Sequence, residues 1–419
     1  MFDRHPGLID AIRDRFAHVA TCPVQGERVF FENAGGALTL KSVVETSARY
    51  AAIPDNQGRA NGMSRELVAV IAKARADAMT FLNAKEGQVF MGESGTELLF
   101  RMISNAVIES PGGGSVVGTT LEHPASRSAA MRWAKIAGKE YIAVPHDDAT
   151  GAVEAADYAR LVRPDTRVAT IIHTSPVTGM AVDVAAVARA IRAVAPDCYI
   201  IVDGIQHAAH GRLDIDGYGI DGYAISPYKV FSRHGYGIAW ISDRMTALPH
   251  DSLIGGPEGN WELGTRDTGA YATLSDVVAY FDWLGGHFTD DSDPRTRMEA
   301  GAAAIHDHEK SLTDAMLHGT GNLRGLADMP QVRIVGGIDN PRREGLVAAW
   351  VEGQDTAAVI EGLNDRGIRV HIRKADHYSG NILDPLGRAD CIRISMCHYN
   401  TLSEVAQFLT AMREIVGTA

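Results

Sequence analysis

The chain has 419 residues, 45% hydrophobic and 22% charged, with a mean hydropathy of −0.08. That composition excludes long intrinsic disorder and a fibrous protein, and the length fits two or three domains, or one large α/β core with a smaller partner. Lys and Arg number 40 against 52 Asp and Glu, a net charge of −12 with no basic run, which argues against nucleic acid and anionic membranes as partners. Cys22, Cys198, Cys391 and Cys397 form no CxxC pair, so neither a disulfide framework nor a zinc knuckle is expected. The N-terminus has no apolar core of a signal peptide and no run of 18 apolar residues occurs, so a cytoplasmic protein is expected.

In chain order, residues 1–29 read as a short amphipathic helix and an extended entry. Strands are expected at 88–91, 115–118, 140–144, 168–174, 198–202, 222–225 and 237–241. Helical patterns fall at 97–110, 126–137, 157–163 and 183–194. Alternation of this kind implies a mostly parallel sheet with helices on its faces. Beyond 275 the pattern changes. Helices are expected at 275–284, 293–318, 355–366 and 403–416, and strands at 331–335, 345–351, 369–372 and 391–396. That is a smaller α+β unit, joined to the first by continuous helix.

Ligands of open α/β sheets gather at the carboxyl ends of strands. MGESGTELLF (91–100) runs from a strand into a helix through Gly95 and Thr96, a seat for an anion or simply a capped helix. IIVDGIQHAAH (200–210) ends a strand at Asp203, which needs a cationic partner or donors, as an ion pair or a cap would supply. GYAISPYKVFSRHGYG (222–237) puts Lys229 just past a strand, where a lone lysine is ordinarily a surface charge. Taken together, they match what pyridoxal phosphate requires. A lysine amine forms a Schiff base, a carboxylate holds the pyridine nitrogen, and a helix start holds the phosphate. Asp203 and Lys229 stand 26 positions apart on successive strand ends, and His123 at another strand end can cover the ring. Neither GxGxxG nor GxxxxGK[ST] is present, which disfavours a dinucleotide or nucleoside triphosphate. No HExxH or similar spacing points to a metal.

FFENAGG (30–36), ESGTELLF (93–100), LEHPASRSAAMRW (121–133), VDGIQHAAHGRLDIDGYGIDGY (202–223), SPYKVFSRHGYG (226–237), ELGTRDTGAYA (262–272) and RISMCHYNTLSEV (393–405) are collinear. Together they resemble the class V aminotransferase group of fold-type I pyridoxal-phosphate enzymes, nearest its cysteine-desulfurase-like branch. The resemblance implies a mostly parallel seven-stranded sheet with helices on both faces, plus a smaller α+β C-terminal domain. It implies a large cofactor domain over 30–275 and a small domain from 1–29 and 276–419. Lys229 resembles the Schiff-base lysine, Asp203 the pyridinium partner, Gln206 the residue on ring oxygen O3′, and His123 the imidazole stacked on the ring. Gly95, Thr96, Ser226 and Tyr228 lie where the phosphate binds, Tyr228 replacing a common histidine. Gly264 and Thr265 match a loop that reaches the phosphate of a neighbouring subunit, which implies a homodimer with shared active sites. Asn33 lies in the segment lining the substrate pocket, and Arg393 aligns with the arginine that grips the substrate α-carboxylate.

Two departures from the family pattern stand out. Pro176 in HTSPVTG (173–179) replaces a frequent asparagine, so a ring or substrate contact is lost or rebuilt. HIRKADHYSGNIL (371–383) occupies the region where desulfurases place a nucleophilic cysteine and contains none. It offers His371 and Arg373, expected to select a polar or anionic substrate side chain. The expected activity is that of a desulfurase-like lyase, with Cα-proton abstraction by Lys229 and β-elimination but no persulfide cysteine. Transamination and epimerisation are the alternatives, and a non-catalytic relative is the reading from a different class.

Overall fold

The computed structural model describes residues 2–417. Its centre is a seven-stranded sheet of β1 (Gln88–Gly92), β2 (Ser115–Thr119), β3 (Glu140–Val144), β4 (Thr166–Ile172), β5 (Tyr199–Asp203), β6 (Gly222–Ile225) and β7 (Gly237–Ile241). All seven stand where the apolar runs predict them. The spatial order is β1-β7-β6-β5-β4-β2-β3; β7 alone runs antiparallel to its neighbours. Val202, Ile200 and Ile201 are buried, as a strand covered by helices on both faces requires.

Helices α1 (Lys41–Ala51), α2 (Gly62–Leu82), α3 (Gly95–Glu109), α4 (Pro124–Ile136), α5 (Ala155–Leu161) and α6 (Val184–Val194) belong to this part. The sequence reading assigned neither α1 nor α2. In α2 the buried stripe is Leu67, Ala74, Ala78, Phe81 and Leu82, and its alanines mute the helical pattern. The ends of α2 carry signals all the same: Asn61 accepts from the Ser64 amide and Asn83 closes the helix at φ +51°. Helix α7 (Thr268–Gly285) starts seven residues before the expected 275, because Asp267 caps it through the Gly269 amide.

The long α8 (Pro294–His318), capped by Asp293, leads into a four-stranded antiparallel sheet. Its strands are β8 (Val332–Ile334), β9 (Leu346–Val351), β10 (His371–Lys374) and β11 (Asp390–Ser395), in the order β8-β9-β11-β10. Helices α9 (Thr356–Asn364) and α10 (Leu402–Val416) pack on it. The strand expected at 369–372 is divided. Ile368–Arg369 pairs in parallel with Val29–Phe30, and only then does the chain enter β10. The N-terminal segment is also shared. Phe2, Leu8, Ile12 and Phe16 pack into the core of the large sheet, whereas Val29 and Phe31 join that of the small one.

The buried Arg343 ties the two parts together. Its guanidinium donates to the carbonyls of Thr178, Leu346, Val335 and Gly337 at 2.6–3.3 Å. Helices α7 and α8 meet at Gly285, where a Cβ would lie 1.8 Å from the Arg297 carbonyl oxygen. Gly285→Ala is therefore expected to cost about 1–3 kcal/mol or more through overpacking. Chemical denaturation that finds wild-type stability would refute so tight a crossing.

Candidate active site

The carboxyl ends of β1, β2, β4, β5 and β6 open onto one cavity with about 370 Å³ of empty space. Thr96, His123, Asp203, Gln206, Ser226 and Lys229 all line it, as do Tyr228 and Pro176. Residues spread over 134 positions of sequence thus meet at one sheet edge. Lys229 sits in a single 3-10 turn after β6, and its Nζ donates to Gln206 Oε1 at 3.2 Å. Asp203, 4% exposed, ends β5 and accepts from the Ile205 amide at 3.0 Å. Ser94 caps α3 by accepting from the Glu97 amide, which leaves other first-turn N–H groups, around Gly95 and Thr96, without helical partners. Gly95 has no room for a side chain, since a Cβ there would lie 2.5 Å from Ser226 Oγ.

Burial lowers the Lys229 pKa to about 7; the positive charge of Arg393 adds to this and Asp203 opposes it. Burial raises Asp203 to about 6, against the pull of the Ile205 amide and of Lys229. His123 caps α4, its Nδ1 accepting from the Ala125 amide at 3.2 Å. That contact puts the neutral ring's proton on Nε2. Burial, then the charge of Lys229, lowers this imidazole to about 3, so it is neutral at physiological pH. Its ring lies 5.5 Å from that of Tyr378.

The small sheet approaches the cavity at Pro176. Arg393, 3% exposed, is placed by β11 and donates to the Pro176 carbonyl at 3.2 Å. Proline there has lost an amide donor, but its backbone oxygen orients the guanidinium. Arg373 lies two residues beyond His371 on the neighbouring strand, so both share a face with Arg393. Among the described residues Arg373 Nε has no hydrogen-bond partner, and the guanidinium lies over the Tyr378 ring at 5.7 Å. His371 is instead paired with Glu32 at 3.2 Å, which also holds Arg369 at 3.1 Å. Asn33 is buried and donates to the Ser395 carbonyl at 2.8 Å and to Asn400 Oδ1 at 3.2 Å, while its oxygen accepts from Tyr399. Its amide thus locks the pocket wall to β11. Gly264 and Thr265 are exposed and do not line the cavity of Lys229.

The segment after β10 is fastened to the large sheet's side of the cavity. Arg127 donates to the His377 carbonyl at 2.8 Å, and Asn381 to the Thr120 carbonyl. Cys391 and Cys397 are fully buried, and burial raises the Cys391 thiol to about 12. They fall in different cores and neither lines the cavity. Glu309, Cys397 and His398 place ligand-type atoms within 4.8 Å of one another, and are hydrogen-bonded in turn to His210 and Tyr280. Glu122 gained no role from the sequence. It is 1% exposed, accepts from Ser126, and has no partner on Oε1.

The donor set fits pyridoxal phosphate. A lysine amine, a buried carboxylate, a neutral imidazole and the first turn of α3 at Thr96 line one cavity. Fold and site together define a pyridoxal-phosphate-dependent enzyme of fold type I. The model of the aminotransferase class-V family matches residues 29–263 and 295–408, and the chain belongs to that family. It is 24% identical to the aminotransferase-like protein FGM3 of Gibberella zeae, over 97% of this chain and 98% of that one. It is 25% identical to the cysteine desulfurase-like protein ustD of Aspergillus flavus, over 97% and 90%. Among solved structures, a cysteine desulfurase from Thermococcus onnurineus superposes with a TM-score of 0.82 at 20% identity, covering 98% of both chains. The cysteine desulfurase CsdA of Escherichia coli gives 0.78 at 22%, again over 98% of both.

Burial raises the Glu122 pKa to about 8, with Ser126 opposing and Asp203 reinforcing it. A carboxyl raised in the folded state stabilises the fold fully below its unfolded pKa, near 4.5, and this is lost as pH climbs toward 8. Glu122→Gln keeps an acceptor for Ser126 and cannot ionise. The cofactor-free variant should gain more than about 1 kcal/mol over wild type at pH 8 relative to pH 5. Denaturation curves with the same pH slope for both proteins would count against a neutral Glu122.

Proposed function

We propose that this pyridoxal-phosphate enzyme uses Lys229 to move a proton at the α-carbon of an amino acid and expels a β-substituent, without a persulfide cysteine. The observation that carries it is the Lys229 amine, its pKa near 7, facing the cavity between Gln206 and Asp203. A group poised near neutrality both takes and returns a proton efficiently. When bound, the cofactor supplies an electron sink conjugated to the substrate α-carbon. Asp203 holds the pyridine nitrogen, His123 covers the ring face, and Gly95, Thr96, Ser226 and Tyr228 hold the phosphate. Arg393 grips the α-carboxylate, its guanidinium already oriented by Pro176. Gly264 and Thr265, exposed and outside their own chain's cavity, serve the second site of a homodimer.

The lyase reading is supported by the relatives named as cysteine desulfurases or desulfurase-like. The persulfide step is set aside because residues 371–383 hold no cysteine, and the nearby Cys391 is a buried, protonated thiol. Transamination is the second reading, favoured by the relative named aminotransferase-like. Arg373 supplies a second cationic group, its Nε without a hydrogen-bond partner among the described residues, on the same face as Arg393, which suits an anionic substrate side chain. Among the described residues no helix is long and apolar enough to cross a membrane.

The purified protein with cofactor should absorb at roughly 410–430 nm through the lysine linkage. Lys229→Ala should lose both that band and all turnover; a variant that keeps either would sink the assignment. A screen of amino acids that reads pyruvate, ammonia and sulfide separates elimination from transamination. Acidic amino acids should perturb the band at lower concentration than neutral ones. Arg373→Gln should erase that preference by about tenfold or more, as loss of a charge-assisted hydrogen bond does. An unchanged preference would remove Arg373 from the site.

A further inference from the structure

Behind the cavity lies a buried polar chain that the mechanism above does not use. Gln206 faces Lys229 with its Oε1 at 3.2 Å, and its Nε2 lies 3.3 Å from His210 Nε2. His210 Nδ1 lies 2.7 Å from Glu309 Oε2. Gln206, His210 and Glu309 are 6%, 6% and 2% exposed, so these contacts are buried. Gln206 and His210 come from the turn after β5, and Glu309 comes from α8. The three therefore meet only through tertiary packing.

The chemistry of these groups is restrictive. An amide nitrogen donates and never accepts. With Gln206 oxygen toward the Lys229 ammonium, its nitrogen faces His210, and His210 Nε2 must be the acceptor. That places the imidazole proton on Nδ1, where the Glu309 carboxylate takes it. A protonated His210 demands the reverse: its Nε2–H needs the Gln206 oxygen, and the amide N–H groups then face the cavity. The first state suits a lysine ammonium that donates; the second suits an acceptor such as a phenolate oxygen in its place. We propose that Glu309 and His210 are positioning residues whose proton occupancy sets which end of the Gln206 amide faces Lys229 and the cofactor's ring oxygen. The proposal rests on the reading of Gln206 as the partner of that oxygen.

The surroundings bias the pair without freezing it. Burial alone would lower the His210 pKa, but Glu309 outweighs it and raises it. Glu344 adds to the rise and the charge of Lys229 opposes it. Glu344 is itself held by His207 at 2.8 Å and by the Thr174 hydroxyl at 2.7 Å. His398, which also faces His210, is kept neutral by burial, and Cys397 faces Glu309 as a thiol raised by burial. His210 can therefore exchange its proton with the state of the cavity.

The test is a pH titration of the visible band of the holoenzyme. A donor to the ring oxygen stabilises the form in which that oxygen carries unshared negative charge, so it lowers the midpoint. Glu309→Gln and His210→Leu should each raise the midpoint by about half a pH unit or more, the worth of one such hydrogen bond. Gln206→Leu should raise it similarly, and Glu309→Gln added to Gln206→Leu should move it no further. Having two single variants keeps the test open if one fails to fold. A midpoint unmoved in the folded variants, with only the melting temperature lowered, would reduce the pair to a structural role and overturn the proposal. A full additional shift in the Gln206→Leu background would also overturn it, since the pair would then act by charge and not through the amide. Failure of the cofactor assignment itself is distinguishable, because the wild-type protein would then show no visible band to titrate with added cofactor.

Discussion

A lysine amine held against two arginines is electrostatically unfavourable, and the site is organised around that fact. Lys229 feels the positive charges of Arg393 and Arg373, and the Asp203 carboxylate opposes them. Desolvation and like charge both favour the neutral amine, which is the nucleophilic and basic form. The same excess of positive charge suits the anions that the proposed function would place there, a phosphate at the start of α3 and a carboxylate at Arg393.

Rigid backbone elements keep the arrangement from relaxing. Asp203 and Lys229 stand at the ends of neighbouring parallel strands, and the last of the paired positions sets Asp203 opposite Ala224. Gly95 and Ser226 come so close that no side chain fits between α3 and the turn after β6. Arg393 comes from the other sheet, and its place depends on the segment 29–36, which runs between the two parts. Asn33 binds that segment to Ser395 and Asn400 through its amide. The cavity is therefore lined by the large sheet, and the small sheet reaches it through the bond of Arg393 to Pro176.

The region that carries a catalytic cysteine in desulfurases is here a short, anchored segment. Arg127 and Asn381 fasten it to the large-sheet part, and the Tyr378 ring contacts both His123 and Arg373. Where the family resemblance leads one to expect a reactive cysteine, this segment presents an arginine and a tyrosine, and that difference underlies the proposal of α-carbon chemistry without persulfide formation.

Sequence by itself determined the strand framework, since apolar runs such as 200–203 have no other place than a sheet covered on both faces. It also singled out Lys229, Asp203 and His123, because residues that end strands fall at a ligand edge whatever the rest of the fold does; Gln206 entered only through the family resemblance. It did not disclose α2, whose buried stripe is interrupted by the small residues Ser64, Ala74 and Ala78, or the division of 368–374 between two sheets, which depends on pairing with Val29–Phe30. Tertiary structure alone decided that Asn33 locks the wall, that Pro176 orients Arg393 by its carbonyl, and that Glu309 reaches His210 across 99 positions. Those contacts join residues remote in sequence through directional hydrogen bonds, and neither periodicity nor spacing encodes the direction of a bond that only packing brings within reach.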